Sequence, residues 1–122
     1  EAESKTILEI AKKGPCVIIG RCASSVLRGA GVDVLSVFVY GDTDDKAKRI
    51  AERNNVGIKE AIRKAEKTDR MRKRYFDFYS DTPWGEPASY DLMISSSKYG
   101  IDGTVDVIAK AVTDESEVKT DE

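Results

Sequence analysis

Apolar strand-like runs that alternate with helix-like stretches predict an α/β protein, with helices layered on both sides of a parallel sheet. Three observations carry that prediction. The run Cys16–Gly20 is continuously apolar, as in strands covered on both faces. The run Val34–Tyr40 is rich in β-branched and aromatic residues. Helix-like stretches separate these two runs from each other and from a third, Asp91–Ser95. At 122 residues there is room for one core. Residues 1–113 are therefore expected to form a single α/β domain, followed by an acidic tail over 114–122 that has little to bury and is expected to be disordered.

The elements follow in order. Apolar Ile7, Leu8, Ile10 and Ala11 mark a first helix, which Gly14 and Pro15 end. The first strand, Cys16–Gly20, is followed by one or two helical turns over Ala23–Leu27 and a glycine-rich turn. Val34–Tyr40 is the second strand. Gly41–Asp44 supplies a turn and an N-cap for a helix whose inner stripe is Ala47, Ile50 and Ala51. Asn54, Asn55 and Gly57 end that helix, and a second begins near Ile58 and runs towards Tyr79, with or without a break. Ser80–Pro87 reads as a loop, Asp91–Ser95 as the third strand and Ser96–Gly103 as a further loop. Val105, Ile108, Ala109 and Val112 stripe a last helix.

Composition excludes several chemistries. Histidine is absent, which removes Ser-His-Asp and Cys-His nucleophiles and disfavours a catalytic zinc site; no metal ligands are assigned. Cys16 and Cys22 lack metal spacing and read as reduced thiols of a cytoplasmic protein. No run has the length of a membrane span, and none reads as a signal peptide. The net charge of −2 argues against a nucleic-acid polyelectrolyte, so any anion site has to be local.

Such a local surplus exists. Lys59, Arg63, Lys67, Arg70 and Arg74 fall in one wedge of the helix beginning at Ile58, at about 100° per residue. Like charges at this spacing repel. On the opposite face an apolar stripe of Ile58, Ala61, Ile62 and Ala65 is interrupted by Asp69 and Arg72 before it resumes at Phe76 and Tyr79. Two readings fit: a solvated basic face with an internal Asp69–Arg72 ion pair, or a phosphate-handling segment over about residues 58–80. In the second, Arg72 reaches a transferring phosphate, Asp69 holds it, and Arg63, Lys67 and Arg70 form an outer clamp.

Ligands of such sheets bind beyond the carboxyl ends of the strands. Arg21, directly after the first strand, suits bidentate phosphate binding or a surface ion pair. Ser97 and Lys98, after the third, suit a nucleotide contact or a plain polar loop. Aromatic residues around Trp84 could stack on bases, but the helical stripe favours core packing for Phe76 and Tyr79.

Taken together, the segment Gly14–Ala23, the spacing Asp69, Arg72, Tyr75, the pair Trp84-Gly85, the segment Tyr90–Leu92 and the segment Gly100–Gly103 resemble the cytidylate kinase-like family. The likeness runs from about Glu9 to about Val112. It implies a partial P-loop nucleoside monophosphate kinase fold and transfer of the ATP γ-phosphoryl to a nucleoside monophosphate, with cytidylate as reference acceptor and Mg2+ as the metal of the intact enzyme. It implies that Arg21 meets the acceptor phosphate, that Asp69 and Arg72 close over the phosphates, and that Ser97 and Lys98 lie near the adenine. Cys22 stands where ordinary cytidylate kinases carry Asp, and Ala65 where they carry a lid Arg.

The P-loop motif itself is absent from these residues. In the family fold its strand lies between the strands read here as Cys16–Gly20 and Val34–Tyr40. The chain is therefore expected to need an amino-terminal half, or a homodimer partner, and to be inactive alone. Two other functions remain open: a nucleic-acid-binding or regulatory module using the basic helix, and an inactive kinase-derived scaffold.

Overall fold

Four residues in each of two apolar runs pair side by side. β1 (Val37–Tyr40) and β2 (Leu92–Ser95) form a parallel two-stranded sheet with Val37 opposite Leu92 and Tyr40 opposite Ser95. This is the arrangement in a computed structural model that describes residues 2–20 and 22–121, with side chains described over 4–20 and 22–113. The helices are α1 (Ala2–Lys12), α2 (Ala23–Gly29), α3 (Thr43–Asn54), α4 (Ile58–Tyr79) and α5 (Ser96–Asp121). The architecture is α/β, a partial αβα layering on a parallel sheet. Residues 114–121, read from sequence as a disordered tail, are the helical end of α5, and the side chains of 114–122 lie outside the described part.

One expected strand does not form. The segment Cys16–Gly20 joins no ladder among the described residues. A strand needs a neighbour for its N–H and C=O groups, and none of the described strands lies beside this one. The segment is apolar on both faces but is covered on one. Ile18 packs against a small core of Ile7, Ala23 and Leu27 between α1 and α2. Val17 and Ile19 are each 91% exposed.

A second apolar centre ties β1 to the end of α4. The Phe38 ring meets Trp84 edge-on at 5.2 Å and Tyr90 at 4.8 Å, and Tyr90 stacks on buried Phe76 at 5.9 Å. Core packing is thus the role of Phe76 and Trp84, whereas Tyr79, expected on the inner stripe, is exposed. Asp91 fastens the start of the sheet. Its Oδ2 accepts from the Ser36 amide and from Arg28 on α2, both at 2.7 Å.

The loop after α4 is held by Asp77. This carboxylate accepts from Lys73 Nζ at 2.7 Å and from the Trp84 amide at 2.8 Å. The lysine bond first, and the amide bond second, hold the Asp77 carboxyl below the usual carboxylate range. The folded group therefore binds its proton less readily than the unfolded one. Its contribution is present above the ordinary aspartate value of about 4, and is lost as pH falls through the lower folded value. Trp84 is the chain's single tryptophan. Its emission is expected to shift as the loop loosens in that acid window, and Asp77→Asn is expected to remove the step. An unchanged titration in the variant would refute the assignment.

The segment Ser96–Gly103, expected as a loop, is helical and broken at Gly100. There φ is 73° and ψ 173°, a conformation that a β-carbon disfavours. The break lets Ser96–Tyr99 make one turn over the strand ends before the longer part of α5 departs.

Candidate functional site

The site begins with a helical hairpin. Asn55, in the left-handed conformation, ends α3, and two further residues lead into α4. The seam between the helices is built of small side chains: Ala47 and Ala61 are fully buried and Ala65 nearly so. Alanine lets two helices approach to the short end of their usual range, about 8 Å. Longer side chains on either flank of the seam then face one another.

On the flank towards the sheet these side chains are cations. An open cleft of about 540 Å³ lies between α3, α4 and the carboxyl end of β1. Lys46, Arg49 and Arg53 line it from α3, and Lys64, Lys67 and Arg72 from α4; Tyr40, Gly41 and Ser96 close its sheet end. Asp69 is the one carboxylate among the described lining residues. Its Oδ2 accepts from Lys46 Nζ at 3.0 Å, and its Oδ1 lies 3.7 Å from Arg72 Nη1. Each of these partly exposed pairs contributes about 1 kcal/mol at most. No ion pair joins Arg49, Arg53, Lys64 or Lys67 to a carboxylate among the described residues. The uncompensated charge suits a ligand with several anionic oxygens.

The sheet end is held by hydroxyls. Ser96 Oγ donates to the Tyr40 carbonyl at 3.1 Å, and Ser97 Oγ accepts from the Asp42 amide at 2.8 Å. Both Oγ atoms would lie 3.2 Å from a β-carbon at position 41, so a side chain there would press on both hydroxyls. Asp42 occupies the N-cap position of α3 without a side-chain capping bond.

The structure sorts the residues singled out from sequence. Asp69, Arg72 and Lys67 come together in the cleft. Arg72 is not turned inward: its side chain is 66% exposed. Arg63 and Arg70 are exposed and do not line the cleft. Ser97 braces the loop after β1, and Lys98 is exposed beside it, its amide bonded to Ser95 Oγ. Cys22 is buried, its Sγ directed at the Phe76 carbonyl at 3.9 Å, and burial pushes its thiol pKa up. It is a neutral packing group apart from the cleft. Arg21 lies outside the described residues.

Sequence reasoning missed Lys46, Arg49, Arg53 and Lys64. A signal for the first three existed. They recur at i, i+3 and i+7 and so share one face of α3.

No helix among the described residues is long and apolar enough to cross a membrane. The chain matches the cytidylate kinase-like family over residues 1–98. It is similar to the cytidylate kinase of Methanocaldococcus jannaschii, with 30% identity over 86% of this chain and 60% of that protein. The cytidylate kinase of Pyrococcus horikoshii shows 31% identity over 86% of this chain and 53% of that one. A crystal structure of an uncharacterized protein from Eubacterium ventriosum superposes with a TM-score of 0.85 and 36% identity, covering 91% of this chain and 63% of that chain. This chain thus spans between 53% and 60% of the length of the two cytidylate kinases. With the family match covering most of its residues, the chain belongs to the cytidylate kinase-like family.

Proposed function

We propose that this chain is the lid and acceptor side of a nucleoside monophosphate kinase, which moves the γ-phosphoryl of ATP to a phosphate oxygen of a cytidylate-like acceptor and releases ADP. The observation that carries the reading is the convergence of six cations on one cleft beyond the carboxyl end of β1. Arg49, Arg53, Lys64 and Lys67 hold the ATP polyphosphate. Arg72 stabilises charge on the transferring group, and Asp69 orients it. Arg63 and Arg70 add to the surrounding positive field. Arg21 holds the acceptor phosphate, with Cys22 beside it, and Ser97 and Lys98 lie towards the adenine.

The cation set suits the phosphates of ATP. Magnesium, which cytidylate kinases generally use with ATP, finds no ready protein site. Among the described residues no three potential ligands converge, and the Asp69 carboxylate is already engaged by Lys46 and Arg72. The nucleotide's own oxygens are the fitting ligands for it.

Without a P-loop the chain does not transfer phosphoryl groups alone. The amino-terminal half found in a complete kinase, or failing that a second copy, supplies the missing strand. The exposed Val17 and Ile19 and the half-exposed Val39 are the apolar surface it would cover.

Calorimetric titration with a mimic of both substrates, adenosine joined to cytidine through a polyphosphate, tests the reading. Saturable binding that is lost in Arg49→Ala and Arg72→Ala is expected. Binding unaffected by both substitutions would overturn the assignment of the cleft.

A further inference from the structure

Among the described residues lining the cleft, Asp69 is the one acid, and it is bound from both helices. Lys46 reaches it across the hairpin from 23 positions away, at 3.0 Å, whereas Arg72 approaches from the same helix at 3.7 Å. The Lys46 and Asp69 side chains are the less exposed members of this trio, at 29% and 31%. Asp69 therefore does within the cleft what a ligand phosphate would do: it neutralises cations from α3 and α4 at once.

A polyphosphate entering the cleft meets that carboxylate as a like charge and its lysine as an opposite one. Lysine is a compact charge with three donors on a flexible stem, so it can exchange one oxygen partner for another by rotating. We propose that Asp69 is a built-in counter-anion and that Lys46 leaves it to bind the ligand's phosphate oxygens when a polyphosphate enters. The exchange releases the strap between α3 and α4, so the hairpin adjusts as the cleft fills. This inference rests on the polyphosphate reading of the cleft.

The test is a double-mutant cycle on the 122-residue chain, titrated calorimetrically with inorganic tripolyphosphate, with circular dichroism to verify helix content. Asp69→Asn is expected to tighten binding by about fivefold or more when Lys46 is present. In a Lys46→Met background only the lost like charge and the freed Arg72 remain, so the gain is expected to be smaller by about threefold or more. Lys46→Gln replaces the methionine variant if the latter loses helix. An equal gain in both backgrounds would mean a simple field effect of the Asp69 charge and would overturn the exchange. So would no gain in either, which would leave the pair a structural link. Absence of tripolyphosphate binding by the unsubstituted chain would overturn the reading of the cleft itself, and this inference with it.

Discussion

If the chain is one half of a kinase, as proposed, Arg72→Ala in the enzyme completed by its amino-terminal half is expected to lower turnover by about 10²–10³-fold, the usual loss when one preorganised charge-stabilising donor is removed. The melting temperature is expected to stay within about 2 °C, equivalent to well under 1 kcal/mol. The two expectations separate because of the geometry. The Arg72 side chain is largely exposed and sits 3.7 Å from Asp69, beyond a good hydrogen bond. Removing it costs the fold little, while on the proposed reading a transferring phosphoryl group would lose a cationic partner. Arg72→Lys keeps the charge and loses the planar fork, so it is expected to recover part of the rate. Steady-state kinetics with cytidine monophosphate provide the check. Turnover of Arg72→Ala within tenfold of the parent, about 1.4 kcal/mol, would refute the role.

Ala61→Glu is expected to separate α3 from α4. Ala61 is fully buried in a seam made of alanines. A carboxylate there has no described partner and must either shed its water or force the helices apart. Breaking in an uncompensated buried charge costs about 3–5 kcal/mol, and for a domain of this size each kcal/mol lowers the melting temperature by several degrees. The circular dichroism melt is expected to move down by about 10 °C or more. Because the seam sets the spacing of the cations, tripolyphosphate binding is expected to fall with it. Ala61→Gly, which costs about 1 kcal/mol through helix propensity, serves as the size control. A melt of Ala61→Glu matching that of Ala61→Gly would mean that the hairpin opens at little cost.

Periodicity revealed the parts of this molecule whose partners lie on the same element. The long basic helix runs unbroken over Ile58–Tyr79, with Ala61, Ala65 and Phe76 on its buried side as the stripe implied. The strand β1 was legible from its β-branched and aromatic content, and β2 from a short apolar run. The failure at Cys16–Gly20 has a definite origin. An apolar run states what a segment can bury, and whether it becomes a strand depends on a neighbour that the run does not encode. The cleft was half legible for a related reason. Asp69 and Arg72 stand out because they interrupt an apolar stripe. Lys46, Arg49 and Arg53 interrupt nothing, and they matter because the alanine seam turns their face towards Lys64 and Lys67. That Lys46, 23 positions away, is the nearer partner of Asp69 is a tertiary fact with no local signature.

The pairing of β1 with β2 also bears on how the chain reaches its fold. Ser36 and Asp91, which open the ladder, are 55 positions apart, and everything between them must be gathered before the first bond between the strands can form. Loop closure over such a span is entropically costly and slow. The α3–α4 hairpin lies wholly inside that span and is stabilised by contacts near in sequence. It can form within microseconds, as local helical structure does, and in doing so it shortens the flexible chain that separates the strands. The hairpin that carries the cations is thus expected to order before the sheet.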